Sequence, residues 1–139
     1  MARILALDIG AKRTGIAVTD PLQIIATGLT TIEANQLVGF LKEYIRREPV
    51  SVFVVGWPTN WDDSDTHATP IVAKAIAQLQ KNFPSIPVQK MDERFTSKMA
   101  KDAMLEMGLK KKQRSDKKLV DEIAATILLQ EYLRSVQGA

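Results

Sequence analysis

The 139-residue chain has no cysteine and a single histidine. The first absence excludes disulfides, zinc–thiolate centres and thiol nucleophiles outright. Aromatic residues make up only 6% of the chain, so isoleucine, leucine, valine and alanine must supply the core, a composition suited to a sheet covered by helices. No apolar stretch approaches the roughly 20 residues that a membrane span requires, and Arg3 and Asp8 break the N-terminal apolar run before it can read as a signal peptide. Internal repeats and low-complexity segments are also lacking. What remains is ordinary: 45% hydrophobic and 25% charged residues, at the size of one domain covering residues 1–139. A soluble cytoplasmic protein is the expectation.

The net charge of +3 is small but uneven. Nine basic and three acidic residues lie between Arg94 and Lys118, a local charge of +6, which leaves −3 over the remaining 114 residues. An anionic partner on one side of the molecule, most simply nucleic acid, accounts for such a distribution; a solvated basic loop accounts for it equally well.

The N-terminal segment RILALDIGAKRTGIAVTD is the most informative. An apolar run ends in Asp8, a Gly-Lys-Arg-Gly pattern follows, and a second apolar run ends in Asp20. It reads as a β-hairpin whose first strand is buried on both faces, because such strands are continuously apolar. A carboxylate at the edge of a core needs compensation: a Gly10 or Ala11 amide, a cation from Lys12 or Arg13, or a metal.

Further along, QIIATGLTTI predicts a third strand, entered through Asp20-Pro21. Leu37, Val38, Leu41, Tyr44 and Ile45 keep helical spacing up to Pro49, and SVFVVGW is a buried strand. Thr69-Pro70 reads as a helix start with Thr as N-cap, leading a face of Ile71, Ala75, Ile76 and Leu79. PVQKM is a short strand ending at Asp92-Glu93-Arg94. A third helix, with Met99, Ala103, Met104 and Met107 inward, closes at Gly108. After the loop LKKKQR, Ser115 or Asp116 opens a final helix to about Arg134. The order βββαβαβαα predicts a mixed five-stranded α/β sheet, antiparallel at one edge and parallel beyond it, with helices on both faces.

Parallel strands put their C-terminal ends on one edge, where open α/β sheets bind ligands. Asp8 and Glu93 come from two such ends. Asp121 shares a helix face with Ala124, Ala125 and Leu128 and so points at the sheet, whereas Glu122, about 100° round, can face solvent. Three converging carboxylates favour a hard cation bound through oxygen, Mg²⁺ or Mn²⁺. Two such ions about 4 Å apart can activate a water and stabilise the leaving oxygen of a phosphodiester. Lys12, Arg13, Arg94 and the basic loop with Lys110, Lys111, Lys112 and Arg114 would hold the phosphate backbone. The competing reading makes Asp8 a turn residue, Glu93 an ion-pair partner, and Asp121 a helix N-terminal acid favoured by the macrodipole.

The ordered set DIGAKRTGIAVTD, VVGWPTN, MDERFTS and LVDEIAATILLQEYL resembles the YqgF family, also called RuvX, over essentially the whole chain. The resemblance implies an RNase H-like fold and a cytoplasmic bacterial nuclease that processes the 5′ end of pre-16S rRNA, related in structure to Holliday junction resolvases. It places the acidic site on Asp8, Glu93 and Asp121, and matches Lys12, Arg13 and Arg94 to basic positions of the motifs. The loop TNWDDSDTHAT departs from the more aliphatic, glycine-containing loop of the family.

The expected activity is therefore metal-dependent phosphodiester hydrolysis, with an RNA precursor as substrate and ribosomal particles as partners. Holliday junction resolution is the alternative within the same chemistry; it requires a symmetric pair of sites, hence a homodimer rather than a monomer. A non-catalytic nucleic-acid- or ribosome-binding module is the alternative outside it. The first hairpin also resembles that of actin-like ATPases, but those close two such domains on a nucleotide and 139 residues supply one. Asp62, Asp63 and Asp65 lack the spacing of a calcium loop. His67 could serve as a general base or leaving-group acid near the site, but a polar loop residue needs no role. Trp57 is expected to pack at a strand end, and Trp61 is the better placed of the two to stack on a base.

Overall fold

The computed structural model describes residues 2–58, 67–92, 96–108 and 116–137. Five strands form one sheet in the order β3-β2-β1-β4-β5: β1 (Arg3–Ile9), β2 (Arg13–Thr19), β3 (Ala26–Glu33), β4 (Val50–Trp57) and β5 (Val88–Asp92). The β1–β2 and β2–β3 pairs are antiparallel, and β1–β4 and β4–β5 are parallel. This is the mixed sheet expected from the element order. Among the described residues four helices accompany it: α1 (Leu37–Arg47), introduced by a 3₁₀ turn at Ala34–Gln36, α2 (Thr69–Asn82), α3 (Thr96–Glu106) and α4 (Lys117–Gln137).

The central strand β1 is apolar throughout because both of its faces are covered. Leu5, Leu7 and Ile9 enter a core with Leu41 of α1 and Val72, Ile76 and Leu79 of α2. Ile4 and Ala6 enter a second core with Ala125, Leu128, Leu129 and Leu133 of α4. On its outer side α4 carries Ala124 and Ile127 against Ala100 of α3. Among the described residues no helix is long and apolar enough to cross a membrane.

Local chemistry moves several expected boundaries. β3 begins at Ala26, not Gln23, because the Asp20 carboxylate accepts hydrogen bonds from the amides of Leu22 (3.1 Å), Ile24 (2.8 Å) and Ile25 (2.7 Å). That ties residues 20–25 into a turn with Gln23 in the left-handed region at φ 59°. In α2, Thr69 is the first helical residue rather than the N-cap, and its hydroxyl donates to the Pro58 carbonyl at 3.0 Å. The buried stripe is accordingly Thr69, Val72, Ile76 and Leu79, and Ile71 turns out toward solvent.

In α3 the buried residues are Ala100 and Met104, while Met99 and Met107 are exposed. Ala100, with the partly buried Ala103, seats α3 against Ala124 and Ile127 of α4. Gly108, at φ 73°, ends the α3 segment as expected. Asp116 caps α4 by accepting from the Lys118 amide at 3.0 Å.

Candidate active site at the end of the central strand

The site grows from the first hairpin. The Gly10 amide donates to the Arg13 carbonyl at 2.9 Å and closes the turn, and the Ala34 amide donates to the Lys12 carbonyl at 2.9 Å, bracing it against the start of α1. Asp8 lies directly opposite Gly15 in the β1–β2 register. Strand alternation then puts Asp8, Gly15 and Arg13 on the α4 face, and Ile9, Thr14 and Ile16 on the other.

Gly15 allows α4 to arrive. A Cβ at this position would fall 2.1 Å from the Asp121 carbonyl oxygen and 2.5 Å from its carbon, far inside contact distance. The helix backbone therefore lies directly on β2, opposite Asp8, and only glycine fits beneath it. At Gly28 of β3 a Cβ would meet the Glu122 side chain at 2.9 Å and the Thr126 hydroxyl at 3.0 Å. Glu122, expected to face solvent, instead lies half-buried over β3.

Asp121 consequently reaches the strand ends, where Arg13 donates from Nε to its Oδ2 at 3.2 Å. Both side chains are about a quarter exposed. Burial pushes the Asp121 carboxyl above the usual carboxylate range, although the Arg13 hydrogen bond and charge, and the more distant Lys117, pull against it. The ion pair thus only partly offsets the cost of holding this carboxylate out of water.

Asp8 and Asp121 line one open cavity of about 420 Å³. The Ile9–Ala11 turn forms its wall, and Lys12, Arg13 and Lys117 supply three cations around the two acids. Lys117 is the first residue of α4, one turn before Asp121. β5 delivers the chain at Asp92, paired with Trp57 on β4. Glu93, Arg94, Lys110, Lys111, Lys112 and Arg114 lie outside the described residues, as do Trp61, Asp62, Asp63 and Asp65. Of the expected set, Asp8, Asp121, Lys12 and Arg13 are brought together.

Among the described residues no three carboxylate or imidazole groups gather into a metal site. The two acids that do meet offer hard oxygen donors in a cavity open to water, which fits a cation such as Mg²⁺ that keeps several of its waters. His67 is exposed in the turn before α2. Trp57 packs against the α1/α2-side core with the Lys90 ammonium 4.0 Å above its ring, as expected for a strand-end residue. Sequence reasoning missed Gly15; an Arg-x-Gly set opposite an acid in a hairpin was the available signal.

A mixed five-stranded sheet with an acid at the end of its first strand and another in its last helix defines the RNase H-like class. Thermus thermophilus RuvC in complex with a Holliday junction substrate shares the fold, with a TM-score of 0.58 at 17% identity, over 99% of this chain and 97% of that one. The family model described as "RuvX: Holliday junction resolvase" matches residues 2–135. A Phocaeicola vulgatus protein named "Putative pre-16S rRNA nuclease" is 53% identical over 97% of both chains. A Flavobacterium psychrophilum protein of the same name is 50% identical over 96% of this chain and 97% of its own. The chain belongs to the RuvX family.

Proposed function

We propose that this RuvX-family nuclease cleaves phosphodiester bonds at the 5′ end of pre-16S rRNA, in the cytoplasm and on ribosomal particles, with residues 1–139 acting as one domain. The observation that carries the reading is the meeting of Asp8 and Asp121, from opposite ends of the chain, in one cavity ringed by Lys12, Arg13 and Lys117. The names of the curated relatives supply the substrate.

Asp8, Glu93 and Asp121 would hold Mg²⁺ or Mn²⁺. When bound, the metal supplies Lewis-acid polarisation of the phosphate and an activated water. The chain's own groups do the rest. Arg13 fixes the rotamer of Asp121 through its Nε, and the ammonium groups of Lys12 and Lys117 neutralise phosphate charge beside the acids. Arg94, Lys110, Lys111, Lys112 and Arg114 would add the positive charge that a phosphate backbone requires. Water would attack the phosphorus in line, and the bond to the leaving oxygen would break on the opposite side.

Junction resolution is the second reading, supported by the description of the family model, and it needs paired copies of the chain. A labelled 16S precursor and a four-way DNA junction, each incubated with Mg²⁺, Mn²⁺ or EDTA, separate the two. Precursor cleavage that requires metal and is lost in Asp8→Asn, with an unchanged melting temperature, is the expected result. Normal cleavage by Asp8→Asn overturns the acidic site. Binding of both substrates without cleavage of either makes the protein a non-catalytic module.

A further inference from the structure

On the opposite side of the first hairpin turn, between that turn, the start of α1 and α2, lies a second cavity of about 550 Å³. It shares Ile9, Gly10 and Ala11 with the acidic cavity, so one braced turn separates the two. We propose that this second cavity takes a nucleobase whose own or neighbouring phosphate lies at the acidic cavity, resting as this does on nucleic acid being the substrate.

The lining has the chemistry a base requires. Val38 and Ile71 offer apolar walls, and the volume falls within the range of small-molecule pockets. Asn35 and Gln78 each present an amide donor and an acceptor, the two kinds of group that a base edge displays. Lys74 adds one cation, and among the described residues no carboxylate lines the cavity.

Thr14 stands on this side of β2 and is fully buried, and its hydroxyl has no hydrogen-bond partner. Among the described residues it is the only buried side-chain polar atom left in that state. Folding does not leave such a group unpaired without cost, and a ligand edge would satisfy it. The two cavities divide the labour of one nucleotide: cations and acids for the phosphate, apolar walls and amides for the base.

The base has two sources, the substrate strand or a free nucleotide. Titrating the ¹⁵N-labelled protein in EDTA with the four nucleoside 5′-monophosphates, with ribose 5-phosphate and with a single-stranded oligoribonucleotide distinguishes them. Nucleotides that carry a base should move the amide signals of Asn35, Lys74 and Gln78, whereas ribose 5-phosphate should move only those around Lys12, Arg13 and Lys117. A response to the oligonucleotide alone assigns the base to the strand, and a response to mononucleotides alone assigns it to a free nucleotide. Ala75→Trp, which fills the cavity, and the exposed-site variant Lys74→Ala should each weaken binding, the former by about tenfold, the worth of one base contact. Movement around the acidic cavity with silence at Asn35, Lys74 and Gln78 overturns the base site and leaves the nuclease reading standing. Unaltered binding by both variants does the same. Silence at both cavities overturns the two together.

Discussion

The two faces of the sheet are built from residues of different size, and the difference decides where chemistry can occur. Toward α1 and α2 the strands present Leu5, Leu7, Ile16, Val18, Phe53 and Val55. Toward α4 they present Ala6, Gly15, Ala17 and Gly28 beside the larger Ile4, Val52 and Val54, with Ala125 on the helix itself. Large side chains hold helices away from a sheet and leave room between elements at its edge, which is where the 550 Å³ cavity lies. Small ones let a helix backbone settle onto the strands, and so bring a helix carboxylate, Asp121, into the same cavity as a strand carboxylate, Asp8. A helix backbone laid on the strands of one face assembles the acids; helices held off by large side chains on the other leave a pocket at the edge.

The hardest blow to the large-residue face is Phe53→Ala. Phe53 is fully buried and meets Phe83 edge to face at 5.6 Å and 68°, so its removal should cost about 4 kcal/mol in chemical denaturation. A loss below about 1 kcal/mol would mean that this face is not packed as described. Gly15→Ala tests the other face. The new methyl would collide with helix backbone at Asp121 rather than with a side chain free to move, so α4 must lift, at about 2–3 kcal/mol. Cleavage should fall with it, because Asp121 travels with the helix. Gly28→Ala should cost less, since the Glu122 side chain in its way can swing aside. Equal losses at the two glycines would break the argument that backbone approach matters specifically beside Asp8.

Much of this was legible in the chain, for identifiable reasons. Continuous apolar runs revealed the buried strands β1 and β4, and the spacing of Ala125 and Leu128 turned Asp121 toward the sheet, while Ala124, read on the same face, packs against α3. Less visible was anything set by two distant elements at once. Nothing in Gly15 announces that α4 will lie on it. Nothing in Glu122 announces that β3 will cover it. Ile71 and Val72 are equally apolar, and only the tether from Thr69 to the Pro58 carbonyl decides which turns inward. The Asp20 turn was hidden because local side-chain hydrogen bonds outcompeted strand propensity in Ile24 and Ile25. Thr14 reads as an ordinary β-branched strand residue, and its unpaired hydroxyl emerges only from the packing around it.

The smallest expected effect is also the one that most sharpens the contrast between the faces, because the α4 face carries Asp121, an acid whose carboxyl burial raises. In the folded protein burial raises the Asp121 carboxyl above its ordinary value of 3.8, even with Arg13 bonded to it. Between 3.8 and that raised value the folded state binds more protons than the unfolded one. Stability contributed by this group is therefore present at low pH and is lost as pH rises through the folded value. Asp20 works in the opposite sense: hydrogen bonds from Ile25, then Ile24 and Leu22, hold its carboxyl low, so its contribution is present above 3.8 and is lost on acidification. In EDTA, Asp121→Asn should flatten the first trend and leave the second. At neutral pH the variant should be as stable as the parent or slightly more so, while losing cleavage, as expected where a site keeps a costly charge for its chemistry. Melting curves of the parent and Asp121→Asn from pH 3 to 8 measure this directly. A variant that is less stable at pH 7 would mean that the Arg13 ion pair outweighs burial, and that Asp121 is first of all a structural tie between β2 and α4.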